Sequence, residues 1–259
     1  MNLLSVRDVW ISFGGVKALQ RVSFDVEVGQ VCGLIGPNGA GKSTLFNVLS
    51  RIYTPEQGSI TFDGKNLLKY PTHRIAHLGI SRTFQNVALW PGMTVRENVL
   101  VGAHSWIQTN VILSMLRWLT VVRDERRARE RAAMIIDYMR LGGEVDRPAW
   151  GLPFAHQKRV EIARALMTMP KLLLLDEPAS GLSHEEVVSL SDEIRRIRDD
   201  FNLTVVVVEH HMNMVMPISD SVVVLDFGQK IAEGPPAVIQ KDPRVIAAYL
   251  GEGGEELTA

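Results

Sequence analysis

The chain has 259 residues, of which 28 are basic and 29 acidic, for a formal net charge of -1. That balance lacks the basic excess by which nucleic-acid binders are usually recognised, and 46% hydrophobic with 22% charged residues describes a globular chain able to bury a full core. The single cysteine, Cys32, excludes an intrachain disulfide and makes a reducing compartment the default. At the N-terminus, Arg7 and Asp8 arrive too early for the apolar region of a signal peptide. Val22 to Val28 alternates apolar and polar residues, predicting a half-buried strand. Val31 to Ile35 predicts a short buried strand running into a Gly-rich turn, and Lys42 to Arg51 follows with helical spacing of Leu45, Phe46, Val48 and Leu49. Residues 58–63 predict another strand before an Asp63-Gly64 turn. From about Thr94 to Met169 the periodicity is helical. The most apolar stretch, Trp106 to Val122, contains Gln108, Asn110 and Arg117 and falls short of the roughly 20 apolar residues of a spanning helix, so a transport role would need other chains to supply the pore. Arg123 to Arg131 reads as a solvated helix face. Leu172 to Leu175, Val205 to Val208 and Val222 to Leu225 are all-apolar runs of the kind that central parallel strands require. Ser183-x-x-Glu186 predicts a capping box opening a helix to about Asp200. The Gly- and Glu-rich tail after Leu250 is expected to fray. The pattern is an α/β core with a helical insertion.

Two segments carry phosphate chemistry. Gly36-Pro37-Asn38-Gly39-Ala40-Gly41-Lys42-Ser43, followed by Thr44, fits G-x-x-x-x-G-K-S/T in the strand-to-helix context such a match requires. Glycines let backbone N–H groups turn inward around phosphate oxygens, and the helix N-terminus adds positive potential. Lys42 is expected to reach the β- and γ-phosphates and Ser43 to ligate magnesium. The second segment is Leu172 to Pro178, an apolar strand ending in Asp176 and Glu177 at the carboxyl edge of the sheet, where ligands bind in such folds. Asp176 is expected to hold magnesium through water and Glu177 to orient or deprotonate the attacking water. Together they predict a nucleoside triphosphatase. Three weaker features accompany them: Gln85 about 40 residues after Lys42, His210 just past an apolar strand, and Leu152 to Leu166 before the acidic strand. Taken alone, Gln85 reads as a surface residue and His210 as structural.

With those features in order, nearly the whole chain resembles the ABC transporter ATPases. The resemblance implies a P-loop NTPase (RecA-like) core with an antiparallel β subdomain and an inserted α-helical subdomain. The expected division is residues 1–85 with 170–235 as core, 86–169 as helical signature subdomain, and 236–259 as C-terminal helix and tail. It also implies that Phe13 stacks on adenine. Gln85 would sense magnesium and report to the membrane subunits, Glu177 would be the base, and His210, rather than His211, would contact the γ-phosphate. Ser180-Gly181-Leu182-Ser183 resembles the dimer-facing loop, although Ser183 stands where Asp or Asn is usual and is expected to cap the helix that follows. The chain is most similar to the branched-chain amino acid importer ATPases with the larger insert. That likeness rests on Ser81 to Asn86 with Met93 to Asn98, on Val160 to Arg164, on Asp242 to Gly251 and on the apolar insert around residues 104–122.

The family signature Leu-Ser-Gly-Gly-Gln is altered. Leu152 is followed by Pro153, Phe154, Ala155, His156 and Gln157, so the serine hydroxyl that would bond the opposing γ-phosphate is missing. Proline removes a donor while suiting a first helical position, and Ala155 puts a methyl where backbone should approach closely. The implied cofactors are ATP and Mg2+. The implied partners are transmembrane permease subunits, a second ABC ATPase in a heterodimer rather than a homodimer, and a periplasmic or extracellular binding protein indirectly, with no nucleic acid. The implied place is the cytoplasmic face of the cell membrane. The alternatives are a related ABC system serving urea, aromatic acids or lipopolysaccharide export, and a soluble non-transport ABC ATPase. The apolar insert is open between internal packing and docking on the membrane subunit.

Overall fold

The structure, a computed structural model, describes residues 1–107 and 118–250; most of the apolar insert and the Gly- and Glu-rich tail lie outside the described residues. In chain order the elements are β1 (Asn2–Phe13), β2 (Val16–Glu27), β3 (Val31–Ile35), α1 (Lys42–Leu49), β4 (Gln57–Phe62), β5 (Lys65–Asn66), α2 (Ile75–Leu78), β6 (Ile80–Arg82) and α3 (Val95–Val101). Then come α4 (Trp118–Tyr138), α5 (Phe154–Met167), β7 (Leu172–Asp176), α6 (His184–Asp200), β8 (Thr204–Val208), α7 (Met212–Ile218), β9 (Ser221–Asp226), β10 (Gln229–Gly234), α8 (Pro236–Ile239) and α9 (Pro243–Leu250). Two compact units divide the chain, residues 1–75 with the chain from 171 onward, and residues 76–170. Compared with the expected division, 76–85 fall in the second unit and the segment after 235 in the first. The causes are local. Residues 84 and 88 are bonded to side chains of α5. Ile239, Val245 and Tyr249 pack in one apolar cluster with Ile35, Val215, Val222 and Val224.

The first unit holds two sheets. One is antiparallel, in the order β2-β1-β4-β5. Its β2 begins earlier than the alternation at 22–28 predicted, and β1 was not predicted at all; bulges let the pair continue past breaks in the pattern, as between Val6 and Val9. The other sheet runs β10-β9-β3-β8-β7, with β9, β3, β8 and β7 parallel and β10 antiparallel at the edge. Every residue of β3, β7 and β8 is buried, which is why these strands carry unbroken apolar runs instead of alternation. The capping box at Ser183 is present, and α6 ends at Asp200 as predicted.

The second unit is helical. Thr94 and Glu97 cap α3 reciprocally, and Val95 and Val99 turn inward. The charge run at 123–131 lies on α4 with only Ala128 buried, and Glu125–Arg129 and Arg126–Glu130 pair one turn apart. Such exposed pairs contribute only a few tenths of a kcal/mol. Among the described residues no helix is long and apolar enough to cross a membrane.

Candidate nucleotide site

Three loops that are distant in sequence leave the same edge of the parallel sheet. Leu34 and Asp176 both stand level with Val208, so the segments after β3, β7 and β8 emerge side by side. The carboxyl ends of adjacent parallel strands form the usual ligand crevice of such sheets. The segment after β3 wraps into α1, with the N-terminus of that helix toward the crevice. Two glycines are required there. A Cβ on Gly36 would stand 2.1 Å from the Leu225 carbonyl oxygen. Gly41 has φ of 101° and lies against the Ala18 carbonyl. The Lys42 ammonium, almost wholly buried, donates to the carbonyls of Gly36 and Pro37 across the loop, the second at 2.8 Å. Residues 38–44 line a cleft of about 530 Å³ together with Glu177, Gly15 of the β1–β2 turn and residues 16–18 of β2.

Phe13 ends β1 just before that turn and meets Tyr53 edge-on at 5.1 Å between centroids. It is 44% exposed and stands beside the cleft rather than on its wall. Ser43 is exposed at the start of α1, and Asp176 is buried at the end of β7. Glu177 adopts φ of 45°, an uncommon conformation for a residue with a Cβ, held by its N–H bond to the Val208 carbonyl at 2.9 Å. Strain of this kind persists where the surroundings over-determine it, and here it turns a carboxylate into the cleft.

His210 follows β8 at the same sheet edge, half-buried, its ring 4.2 Å from that of the exposed His211. The residue before it, Glu209, was not singled out from sequence and is wholly buried. Its carboxylate accepts the N–H of Ala179 at 2.6 Å and those of His210 and His211 at 3.2 and 3.4 Å. Burial pushes this carboxyl up, while those backbone donors and the two imidazoles pull it part of the way back. Glu209 therefore ties the turn after Glu177 to the loop carrying His210. An acidic residue directly after four valines was the available signal. Ligand atoms of Glu209, His210 and His211 lie within 4.8 Å of one another. The carboxylate accepts three backbone N–H groups, so Glu209 serves as a loop brace.

The remaining expected site residues lie in the second unit. Gln85 follows β6 and is exposed, and its carbonyl accepts from Lys158 Nζ at 3.1 Å. Pro153 caps α5 with φ of -52° and no side-chain acceptor, followed by exposed Phe154 and half-buried Ala155. His156 Nδ1 bonds Glu144 at 2.8 Å, and the Gln157 amide folds back onto the carbonyls of Trp150 and Leu152. The altered signature thus begins a well-formed helix with no hydroxyl at its start. A further part of the cleft wall, Gln20 and Phe227, also escaped sequence reasoning, because β2 and the turn after β9 reach the phosphate loop only in the folded chain.

Comparison with known proteins agrees with this geometry. Residues 19–180 match the ABC transporter family, and residues 229–255 match the branched-chain amino acid ATP-binding cassette transporter family. The chain is 43% identical over 250 residues to the high-affinity branched-chain amino acid transport ATP-binding protein BraF of Pseudomonas aeruginosa, covering 96% of this chain and 98% of that one. LivG of Escherichia coli, with the same described role, is 40% identical over the same shares. Among solved structures, the ADP conformation of an ATP-binding cassette of an ABC transporter superposes with a TM-score of 0.85 at 33% identity, covering 97% of this chain and 99% of that one. A phosphate loop, an acidic strand end and a histidine loop on one sheet edge, with kinship along nearly the full length, make this chain an ATP-hydrolysing subunit of the ABC transporter family, on the branch of the branched-chain amino acid transport ATP-binding proteins.

Proposed function

We propose that this cassette powers an importer of branched-chain or other hydrophobic amino acids. It would sit at the cytoplasmic face of the cell membrane through permease subunits, fed by an external binding protein. The observation that carries the reading is the triphosphate cleft walled by residues 38–44 and Glu177, in a chain whose C-terminal segment matches the branched-chain amino acid cassettes. The backbone donors of residues 38–44 and Lys42 hold the β- and γ-phosphates, and Phe13 covers the base. Glu177 takes a proton from the attacking water and His210 contacts the γ-phosphate. The Ser43 hydroxyl and the Asp176 carboxylate are hard oxygen donors suited to Mg2+. Bound there, the ion would neutralise charge on the transferring phosphoryl group.

Each nucleotide in this reading is sandwiched between the phosphate loop of one cassette and the signature helix of another. This chain's phosphate loop and Glu177 are complete, while its signature helix starts without a hydroxyl. A heterodimer with a second cassette gives one complete site on this chain's phosphate loop. A homodimer would have two weakened ones. The test is reconstitution with the permease subunits and binding protein of the same system, following labelled leucine, isoleucine, valine and urea. ATP-dependent accumulation of the branched amino acids is the expected result. Uptake of urea alone, or outward movement of a lipid-linked cargo, would overturn the substrate assignment.

A further inference from the structure

Phe13 is the last residue of β1, and a half-exposed ring at a strand end needs a neighbour to fix its tilt. Residues 50–56, between α1 and β4, supply one. This segment leaves α1 with the N–H groups of Ile52 and Tyr53 on the Asn47 carbonyl, at 2.8 and 3.0 Å. Arg51, at φ of 60°, donates to the carbonyls of Leu68 and Tyr70, each at 3.1 Å. So anchored, the segment returns to the end of β1. The Glu56 N–H donates to the Trp10 carbonyl at 2.8 Å. The Glu56 carboxylate accepts the hydroxyl of Ser12 and its N–H, the second at 2.8 Å, one residue before Phe13. Those two donors hold the Glu56 carboxyl below its ordinary value. Between these ties half-buried Tyr53 meets Phe13, the ring planes inclined by 60°. A T-shaped pair is a favoured aromatic arrangement, and it orients a ring while leaving much of it open. The helix that begins at the phosphate loop therefore ends in the segment that sets the Phe13 ring, so one element serves both ends of a nucleotide.

We propose that Tyr53 is a positioning residue for Phe13, holding that ring ready to receive the base of the nucleotide. The proposal rests on the assignment of Phe13 to the base. Stacking uses the π-face that every base has, and a ring held in place beforehand loses less freedom on binding. Tyr53 should accordingly matter to ATP and to GTP alike, and not to the phosphate chain alone. The experiment is calorimetry on the full-length chain in EDTA, titrating ATP, GTP and inorganic tripolyphosphate. Tyr53→Ala should weaken both nucleotides about three- to tenfold, the scale of one lost aromatic pair, and leave tripolyphosphate within about twofold. Tyr53→Phe, which keeps the ring, should bind all three like the native chain. Phe13→Ala should weaken the nucleotides at least as much as Tyr53→Ala, and on that background Tyr53→Ala should add nothing further. If Tyr53→Ala does not fold, Tyr53→Leu removes the aromatic pair while keeping apolar bulk, with the same expected shift. Unchanged nucleotide affinity, an equal loss for tripolyphosphate, or effects that multiply with Phe13→Ala would overturn the positioning role. Native ATP affinity in Phe13→Ala itself would overturn the assignment of Phe13 to the base, and this inference with it.

Discussion

Replacing Glu209 tests whether the buried brace between the loops that follow β7 and β8 matters. Glu209→Leu keeps the volume apolar and removes the acceptor for Ala179 N–H, which is bonded at 2.6 Å in a wholly buried setting. Leaving one such donor unsatisfied costs about 1–3 kcal/mol, partly offset because a buried carboxylate no longer has to be desolvated. The longer contacts to His210 and His211, at 3.2 and 3.4 Å beside half-buried and exposed residues, add little, since water can replace them. A net loss of about 2 kcal/mol corresponds to a Tm lowered by roughly 4–8 °C for a chain of this size. Glu209→Gln retains one oxygen for Ala179 but turns an NH2 toward two N–H groups, and should lose about half as much. The pH sign is also fixed. Burial raises the folded-state pKa of Glu209 above its ordinary 4.5. The unfolded chain therefore releases the proton more readily, and this group's destabilising contribution is full above the folded pKa and gone below 4.5. The margin by which the native protein exceeds Glu209→Gln should widen as pH falls through the window just above 4.5. Thermal unfolding followed by circular dichroism from neutral to mildly acid pH, with ATPase rates beside it, gives both readouts. A Glu209→Leu protein with unchanged Tm and unchanged turnover would refute the brace.

The other expectations concern the cleft. Lys42→Ala should abolish measurable ATP binding in calorimetry, because the loop loses the ammonium that spans it; unchanged affinity would contradict the site. Glu177→Gln should retain ATP while hydrolysis falls on the order of 10²–10³-fold, since an amide cannot take a proton from water. Pro153→Ser with Ala155→Gly should raise turnover of the purified chain up to about a hundredfold at concentrations where it dimerises, the scale of one restored donor to a charged transition state. Fast hydrolysis by the native chain, unaltered by that repair, would show the signature departure to be harmless. The Cys32 thiol, buried and pushed up to about 12, should not react with a thiol reagent in the folded protein and should react fully in urea.

What was legible in the sequence follows from how local each constraint is. The phosphate loop, the strands at 31–35, 172–176 and 204–208 and the capped helix at 184 were readable because glycine spacing, unbroken apolar runs and Ser-x-x-Glu each declare themselves within a few residues. The bulged β1 and the edge strand β10 were missed, since Asp8, Arg7 and Lys230 interrupt any clean alternation. Glu209 and Phe227 were missed for a different reason. Their contacts are made with partners 30 and 207 positions away, and no local pattern encodes such a distance.

The order of strands also constrains how the protein can come to exist. The strand that launches the phosphate loop, β3, has hydrogen-bonding neighbours on its two sides in β8 and β9, both made after residue 203. During synthesis at roughly 5–20 residues per second, residues 31–35 therefore wait many seconds with both edges unsatisfied. Such non-local pairing is slow to form and leaves an apolar strand open to aggregation meanwhile. ATP can lend no help in that interval, because Glu177 and the phosphate loop share a wall only once β8 has been threaded between β3 and β7. Nascent chains stalled before residue 204 should accordingly be chaperone clients with no nucleotide-dependent protection from protease, and chains released past residue 226 should acquire it together with the sheet.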